Sequence, residues 1–119
     1  PCYIFKNNMI FVKIFSLDYS FAIDKNLSHI FKKIDEFKMK VDIIQNSAIS
    51  FSICLFDKYN QIDNLIKSLE DKFKIEVYKN ISLYTIRHFD EQSIKVVSKG
   101  KKLLLEQRSE KTVKLIFKN

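Results

Sequence analysis

Few residues of this 119-residue chain have the types and spacing that catalytic or metal chemistry requires. Neither His29 nor His88 has Cys, His or carboxylate neighbours at the spacing of a metal site. The one glycine, Gly100, cannot build a phosphate-cradling loop, which needs several glycines close together. The sequence therefore predicts no catalytic residues and no metal ligands, and it favours a sensor or interaction module over a free-standing enzyme.

One polar cluster has the right groups to bind a small molecule. Gln45, Asn46 and Ser47 interrupt the apolar stretch Lys40–Leu55, KVDIIQNSAISFSICL. Asn and Ser side chains stabilise turns through local hydrogen bonds, and the same groups can hydrogen-bond a polar ligand. The turn interpretation and the binding interpretation can both hold, and both remain open.

The stretch that carries this cluster predicts two short strands, Val41–Asn46 and Ile49–Phe56, joined by a turn at residues 46–48. The segments before and after the hairpin in the sequence each have apolar residues at the spacing of a helix. The first helix is expected to begin at Asp24 as N-cap, and the second to run over Gln61–Phe73. The stripe residues are Leu27, Ile30, Phe31, Ile34 and Phe37 in the first helix and Ile62, Leu65, Ile66, Leu69 and Phe73 in the second.

Two further strands flank these elements. Met9–Leu17 is almost entirely apolar, and Lys74–Tyr78 follows the second helix. The order of elements is then β-α-β-β-α-β, which is the ferredoxin-like plan.

The pattern begins again after this unit. Ile81–Phe89 alternates like a strand, Glu91–Lys99 looks helical between an Asp90 cap and Gly100, and two strands are expected at Leu103–Gln107 and Thr112–Phe117. The repeat lacks a fourth strand, which Pro1–Lys6, set off by a turn at Asn7–Asn8, could supply. The sequence thus predicts an α+β fold of two interlocked ferredoxin-like units with antiparallel sheets and helices on one face, one over 9–79 and one over 1–8 plus 80–119.

The composition indicates in which cellular compartment the protein lies. No apolar run approaches the length of a membrane span, and two cysteines are too few for a disulfide framework, so we expect a cytoplasmic protein in which Cys54 is a reduced core or interface thiol. The chain begins at Pro1 without a signal peptide, and we expect it to be a piece of a longer protein.

The net charge of +7 comes from 21 basic residues spread along the chain, and only two of them are Arg. This distribution argues against a nucleic-acid partner.

The segments KVDIIQNSAISFSICL, ISLYTIRHF and LLLEQRSEKTVKLIF, in this order and at these distances, resemble the C-terminal regulatory region of monofunctional, Bacteroidetes-type bacterial aspartate kinases. The resemblance covers essentially the whole chain, and that region is a tandem of two ACT domains. It implies that 9–79 is a complete first ACT domain and that 1–8 plus 80–119 form a second, shorter one.

The resemblance also implies a function. Aspartate kinase transfers phosphate from ATP to the aspartate carboxylate, the first step towards lysine, threonine and methionine. Its ACT domains form homodimers and bind an end-product amino acid, which feeds back on the kinase domain of the same chain. Lysine is the first choice of effector for this chain and threonine the second. No cofactor is expected here, because ATP and Mg²⁺ belong to the kinase domain.

In the family, the effector lies between the loop after the first strand, the start of the first helix and the following strand. Carried over to this chain, the resemblance implies an effector site, with Asp42 as counter-charge for the effector's α-ammonium group. The implied residues are Asn26, Leu27, Val41, Asp42, Gln45, Asn46 and Ser47, with Ser16, Asp18, Tyr19 and Ser20 as weaker candidates in the loop. The chain departs from lysine-sensitive relatives at Ser47–Ala48, where many have Ser-Glu, and at Asp24–Lys25, where many have a glycine.

Two other functions remain open. A structural dimerisation module that has lost its effector would have the same fold and would bind no amino acid. A basic ferredoxin-like domain that binds nucleic acid would need exposed aromatic residues on a sheet face, for which Phe51 and Tyr84 are the candidates.

Overall fold

The computed structural model describes residues 1–16, 23–47 and 50–119. These residues form an α+β fold of six strands and three helices, and the pairings between neighbouring strands that are resolved are antiparallel. The elements in chain order are β1 (Cys2–Ser16), α1 (Ile23–Glu36), β2 (Lys40–Asn46), β3 (Ser50–Phe56), α2 (Ile62–Leu69), β4 (Phe73–Arg87), α3 (Glu91–Ser98), β5 (Lys102–Arg108) and β6 (Thr112–Lys118).

The chain divides into two compact units. The first unit is Ile10–Val77, and the second unit combines Pro1–Met9 with Tyr78–Asn119. The long strands β1 and β4 pass from one unit to the other, so each unit receives one part of both strands.

The first unit has the strand order β2-β3-β1-β4, which is the order of a ferredoxin-like βαββαβ domain. Its core forms because alternate residues of β1 and β3 point to one face, where the apolar stripes of both helices cover them. The buried members of this core are Ile10, Val12, Ile14, Ile30, Ile34, Met39, Phe51, Ile53, Leu55, Ile62, Leu65, Leu69 and Phe73.

The second unit repeats the strand order as β1-β4-β6-β5, with α3 as its one helix among the described residues. Its core joins the stripe of α3 to alternate residues of β4 and β6. The buried members are Ile86, Ile94, Val113, Leu115 and Phe117.

The predicted turn at Asn7–Asn8 is wrong, because β1 continues through both residues. The predicted break between Lys74–Tyr78 and Ile81–Phe89 is wrong for the same reason, since β4 is one strand. Asn8 and Asn80 have φ values of 55° and 57°, in the left-handed region that asparagine tolerates better than most residues. Each strand therefore contains one left-handed residue and continues past it.

The predicted helix boundaries also need correction. α1 begins at Ile23, so Asp24 lies inside the helix and is not its N-cap. α2 begins at Ile62 and ends at Leu69, so Phe73, predicted as its last stripe residue, is the first residue of β4. Phe73 is nevertheless buried in the core that α2 covers.

Other local predictions are confirmed. Asp90 is the N-cap of α3, and its carboxylate accepts the Ser93 N–H at 2.7 Å while the Ser93 hydroxyl accepts the Asp90 N–H at 3.1 Å. Gly100, with φ of 73°, follows the end of this helix. The Cys54 thiol is fully buried and is not part of a disulfide. Within the described part of the chain, no helix combines the length and apolarity needed to cross a membrane.

Candidate ligand-binding site

The polar cluster lies at one end of the sheet in the first unit. Phe15, next to the end of β1, pairs with Ser50, and Asn46, the last residue of β2, pairs with Phe51. The end of β1, with Ser16, and the connection between β2 and β3 therefore lie at the same end of the sheet. Residue 48 of the predicted turn and residue 49, the predicted first residue of the next strand, lie outside the described residues.

The N-terminus of α1 points to this same end. Only three residues connect the last residue of α1 to Lys40, so the C-terminus of the helix lies at the far end of β2. A helix of 14 residues and a strand of 7 both span about 20 Å, so the start of α1 comes level with Asn46. Phe31 packs edge-on against Phe51 with 5.6 Å between ring centroids, which holds the helix over this part of the sheet.

The first turn of α1 offers backbone N–H groups that have no partner inside the helix and that carry the positive end of its dipole. Asn26 belongs to this turn by its backbone, and its side chain lies outside the described residues, as do Asp18, Tyr19 and Ser20. Leu27 is half-buried and packs against the core. The geometry suits a carboxylate, which such N–H groups bind.

Ser47 takes part in the turn that follows β2. Its N–H donates to the Ser50 carbonyl at 2.9 Å, and its hydroxyl lies 2.8 Å from the Ser50 hydroxyl and 3.2 Å from the Ser50 N–H that donates to it. These bonds confirm the turn interpretation for Ser47, whereas Gln45 and Asn46 belong to β2. Ser47 is exposed and Ser50 is half-buried.

Gln45 and Asn46 are both exposed but lie on opposite faces of the strand. Asn46 pairs with Phe51 and so shares the helix-covered face, whereas Gln45 pairs with Ser52 on the other face. Of these two predicted residues, Asn46 is the one that faces the start of α1.

Val41 and Asp42 lie farther along β2. Val41 is half-buried against the helix-covered core. Asp42 is half-buried at a β-bulge, where the register with β3 shifts between Val41 and Ile43. Four residues of strand separate Asp42 from Asn46, which is about 13 Å. The structure thus brings Asn46, Ser47 and Ser16 together at one end of the sheet and places Asp42 well away from them along the strand.

Among the described residues, the two clear pKa shifts belong to the second unit. The hydrogen bond from the Ser93 N–H lowers the pKa of Asp90. Hydrogen bonds to Glu106 at 2.7 Å and to Glu91 at 2.9 Å raise the pKa of Arg108. Both groups stabilise local structure around α3 and β5. Across residues 1–16, 23–47 and 50–119, no three His, Cys, Asp or Glu side chains converge as metal ligands.

An open groove of about 280 Å³ lies at the opposite end of α1 from the polar cluster. It is lined by Glu36, Phe37, Lys38, Tyr59 and Gln61. The sequence pattern does not indicate this groove. Asp57 accepts the N–H groups of Gln61 and Ile62 at 2.8 Å each and so fixes the start of α2 beside it. An aspartate shortly before a helix, here Asp57 before α2, is the sequence feature that could have indicated how this helix begins beside the groove.

Comparison of the sequence with protein-family models and with curated proteins gives no match. Solved structures do match in fold. Aspartate kinase from Clostridium acetobutylicum superposes with a TM-score of 0.80 at 13% identity, over 98% of this chain and 30% of that one. A C-terminal regulatory domain of aspartate kinase from Porphyromonas gingivalis W83 superposes with a TM-score of 0.75 at 18% identity, over 98% of this chain and 85% of that one.

A third match is Escherichia coli aspartokinase III in complex with lysine and aspartate, with a TM-score of 0.75 at 14% identity. It covers 98% of this chain and 29% of that one. The chain therefore has the fold of the regulatory regions of aspartate kinases and spans less than a third of the two longer enzymes.

Proposed function

We propose that this chain is the effector-sensing region of an aspartate kinase, in which each unit is an ACT domain and an end-product amino acid regulates a kinase domain in the same protein. The observation that carries the proposal is the agreement in fold with a domain of that kind over 98% of this chain and 85% of the other. The two units with one strand order support it, because the second unit would not be needed for a single ferredoxin-like domain.

The proposed effector site is the end of the first unit where α1 begins. The α-carboxylate of the amino acid accepts N–H groups of the first turn, around Asn26 and Leu27. The Asn46 and Ser47 side chains and the end of β1 at Ser16 surround its polar atoms.

The position of Asp42 favours lysine over threonine as the effector. A lysine whose carboxylate lies at the start of α1 carries a second ammonium on a four-carbon stem, which would extend along β2 past Ile44 in the direction of Asp42. Asp42 then serves as the counter-charge for that ammonium. Threonine has no group that reaches so far, and it would use the turn end of the site alone.

Regulation of the kinase follows from linkage between sites. An amino acid that binds one conformational state of the parent enzyme more tightly shifts the population towards that state. The catalytic residues, ATP and Mg²⁺ belong to the kinase domain in this proposal, and the chain contributes the ligand-dependent part. A homodimer formed through the ACT domains completes the assembly.

A thermal-shift titration tests the proposal. Lysine, threonine, methionine and aspartate are added separately, with norleucine as a lysine analogue that lacks the second ammonium. At 100 times its dissociation constant an effector stabilises the folded state by about 2.7 kcal/mol, a shift of several degrees. We expect lysine to give this shift and norleucine to give much less.

Two variants locate the site. Asp42→Asn should reduce the lysine shift, and Asp35→Asn, which removes an exposed carboxylate at the far end of α1, should leave it unchanged. If no amino acid shifts the melting temperature, the effector proposal fails and the alternative of a structural dimerisation module takes its place.

A further inference from the structure

The two units repeat one hairpin in the same register. In the first unit β2 pairs with β3, in the second β5 pairs with β6, and both pairings have a register shift at the third residue of the first strand. The turns also match, because the Ser47 N–H donates to the Ser50 carbonyl at 2.9 Å and the Ser109 N–H donates to the Thr112 carbonyl at 2.8 Å. Each residue of β2 therefore has a counterpart in β5.

The counterparts differ at two positions that matter for the proposed effector site. Asn46, which faces the start of α1, has Arg108 as its counterpart, since both are the last paired residue of their strand. Asp42, the proposed counter-charge, has the half-buried Leu104 as its counterpart. The second unit thus lacks the carboxylate that would hold a ligand's ammonium, and it carries a cation of its own at the turn end.

The helix of the second unit begins farther from the turn. Three residues connect α1 to β2 and three connect α3 to β5, so the two helices end at corresponding places. α1 has 14 residues and α3 has 8, so α3 begins about 9 Å farther from the turn end of its sheet. The end of β5 and the start of α3 are therefore separated by the length of the missing turns.

Arg108 bridges this separation. Its Nη1 donates to the carboxylate of Glu91, the first residue of α3, at 2.9 Å, and its Nε donates to the Glu106 carboxylate at 2.7 Å. Its guanidinium carbon lies 5.4 Å from the centroid of the Phe89 ring, just before the helix. The side chain thus ties the end of β5 to the first turn of α3.

The anion position at the start of α3 is filled by the chain as well. The Asp90 carboxylate accepts the Ser93 N–H at 2.7 Å. In the first unit, the start of the helix is where the proposed site places the carboxylate of the effector. The second unit therefore supplies from its own side chains a carboxylate at the helix start and a cation beside it, which are the two charged groups of an amino acid.

We propose that Arg108, together with Asp90, takes the place of an amino-acid ligand in the second unit and holds α3 in position whether or not an effector is present. The proposal rests on the effector site proposed for the first unit, where Asn46, with its shorter side chain, stands in the position of Arg108. Arg108 acts as a positioning residue, because its planar guanidinium can bond two carboxylates at once. The amino acid then orders the start of α1 and leaves α3 unchanged.

Hydrogen exchange followed by mass spectrometry tests this proposal, because it measures the two helices separately in one sample. Exchange is compared for the unaltered chain, Arg108→Ala and Arg87→Ala, each with and without saturating lysine. Arg87 is the chain's other arginine and an exposed residue of the same unit, so it is the matched control. A further sample adds methylguanidinium to Arg108→Ala, which supplies the removed group from solution.

In the unaltered chain we expect lysine to slow exchange in the first turns of α1 and to leave α3 unchanged. Arg108→Ala should speed exchange at the start of α3 by about threefold, because two charge-assisted bonds of a partly exposed side chain are lost. Methylguanidinium should reverse this change. Arg87→Ala should exchange as the unaltered chain does.

Three results would overturn the role of Arg108 and leave the effector site of the first unit standing. Arg108→Ala, shown to be folded by circular dichroism, exchanges at α3 no faster than Arg87→Ala. Methylguanidinium does not reverse the faster exchange, which would show a packing role only. Lysine slows exchange in α3 of the unaltered chain as much as in α1. If lysine slows exchange in neither unit, the effector site itself fails and the proposal fails with it.

Discussion

Asp90 closes the N-terminus of α3 with a charged carboxylate, and hydrogen bonding to the Ser93 N–H lowers its pKa. A carboxyl group with a lowered pKa in the folded state stabilises that state at pH values above its ordinary pKa of 3.8. This stabilisation is lost as the pH falls through the lowered value. We expect Asp90→Ala to reduce the melting temperature by roughly 4 °C at pH 7, and the difference from the unaltered chain to shrink below about pH 3.8.

Melting curves between pH 7 and pH 2.5 test this expectation. Glu110→Ala is the control, because Glu110 is an exposed carboxylate of the same unit that lies in the turn between β5 and β6. A difference for Asp90→Ala that stays constant down to pH 2.5 would show that the charge of the cap contributes nothing.

The two cysteines should differ sharply in reactivity. Cys2 is exposed and Cys54 is fully buried in β3. Because a thiol reagent must reach the sulfur, we expect one thiol per native chain to react with Ellman's reagent and two after denaturation. Cys2→Ser should abolish the native reaction. Rapid reaction of the Cys2→Ser chain without denaturant would contradict the burial of Cys54.

The positions of the candidate site residues were harder to predict from the sequence than the residues of the core. The residue types of Gln45, Asn46 and Ser47 indicated a polar end to the hairpin, and the turn bonds of Ser47 confirm that part. The distance of Asp42 from Asn46 depends on the strand register and on a bulge after Val41. A bulge at this position has no marker such as Gly in the sequence, so the separation was visible only in the structure.

The long strands β1 and β4 each contain one asparagine with positive φ. A β-branched residue at such a position clashes with its own backbone, whereas glycine does not. We expect Asn80→Val to destabilise the chain by about 1–2 kcal/mol and Asn80→Gly to be close to neutral. Urea unfolding followed by circular dichroism gives both values.

Lys74→Val is the control for this pair, because Lys74 is an exposed residue of the same strand that has no positive φ. Equal stability of Asn80→Val and Lys74→Val would show that residue 80 is extended in solution.

The elements with strong periodicity were predicted correctly, whereas some of their ends, such as the end of α2, were not. The stripe of Leu65 and Leu69 continues to Phe73 at the spacing of a helix, so the sequence gives no sign that α2 stops at Leu69. Asn7–Asn8 has the composition of a turn, but a left-handed asparagine can also occur within a strand that continues. In both places the pairing of β1 and β4 within the sheet determines where the strand begins or continues. That pairing involves residues far apart in the chain.

For the whole molecule, the proposed function includes a homodimer formed through the ACT domains. β2 is an outer strand of the first unit, and its Ile44 is 45% exposed. Outer strands with exposed apolar residues pair readily with another copy. We expect sedimentation equilibrium to give about twice the mass of the 14.2 kDa chain, and Ile44→Lys to shift the species towards the monomer.

Tyr59→Ser is the control for the dimer, since it removes an equally exposed apolar side chain from the same unit. A single species of 14.2 kDa at every concentration would rule out the dimer for this chain.

Isothermal titration calorimetry of the chain with lysine decides whether it binds an amino-acid effector, because calorimetry measures binding without relying on stability. We expect a saturable heat with one lysine per chain, a much weaker heat for norleucine, and a loss of lysine affinity in Asp42→Asn but not in Asp35→Asn. If a chain shown to be folded gives no heat with lysine or with threonine, it has no such effector site.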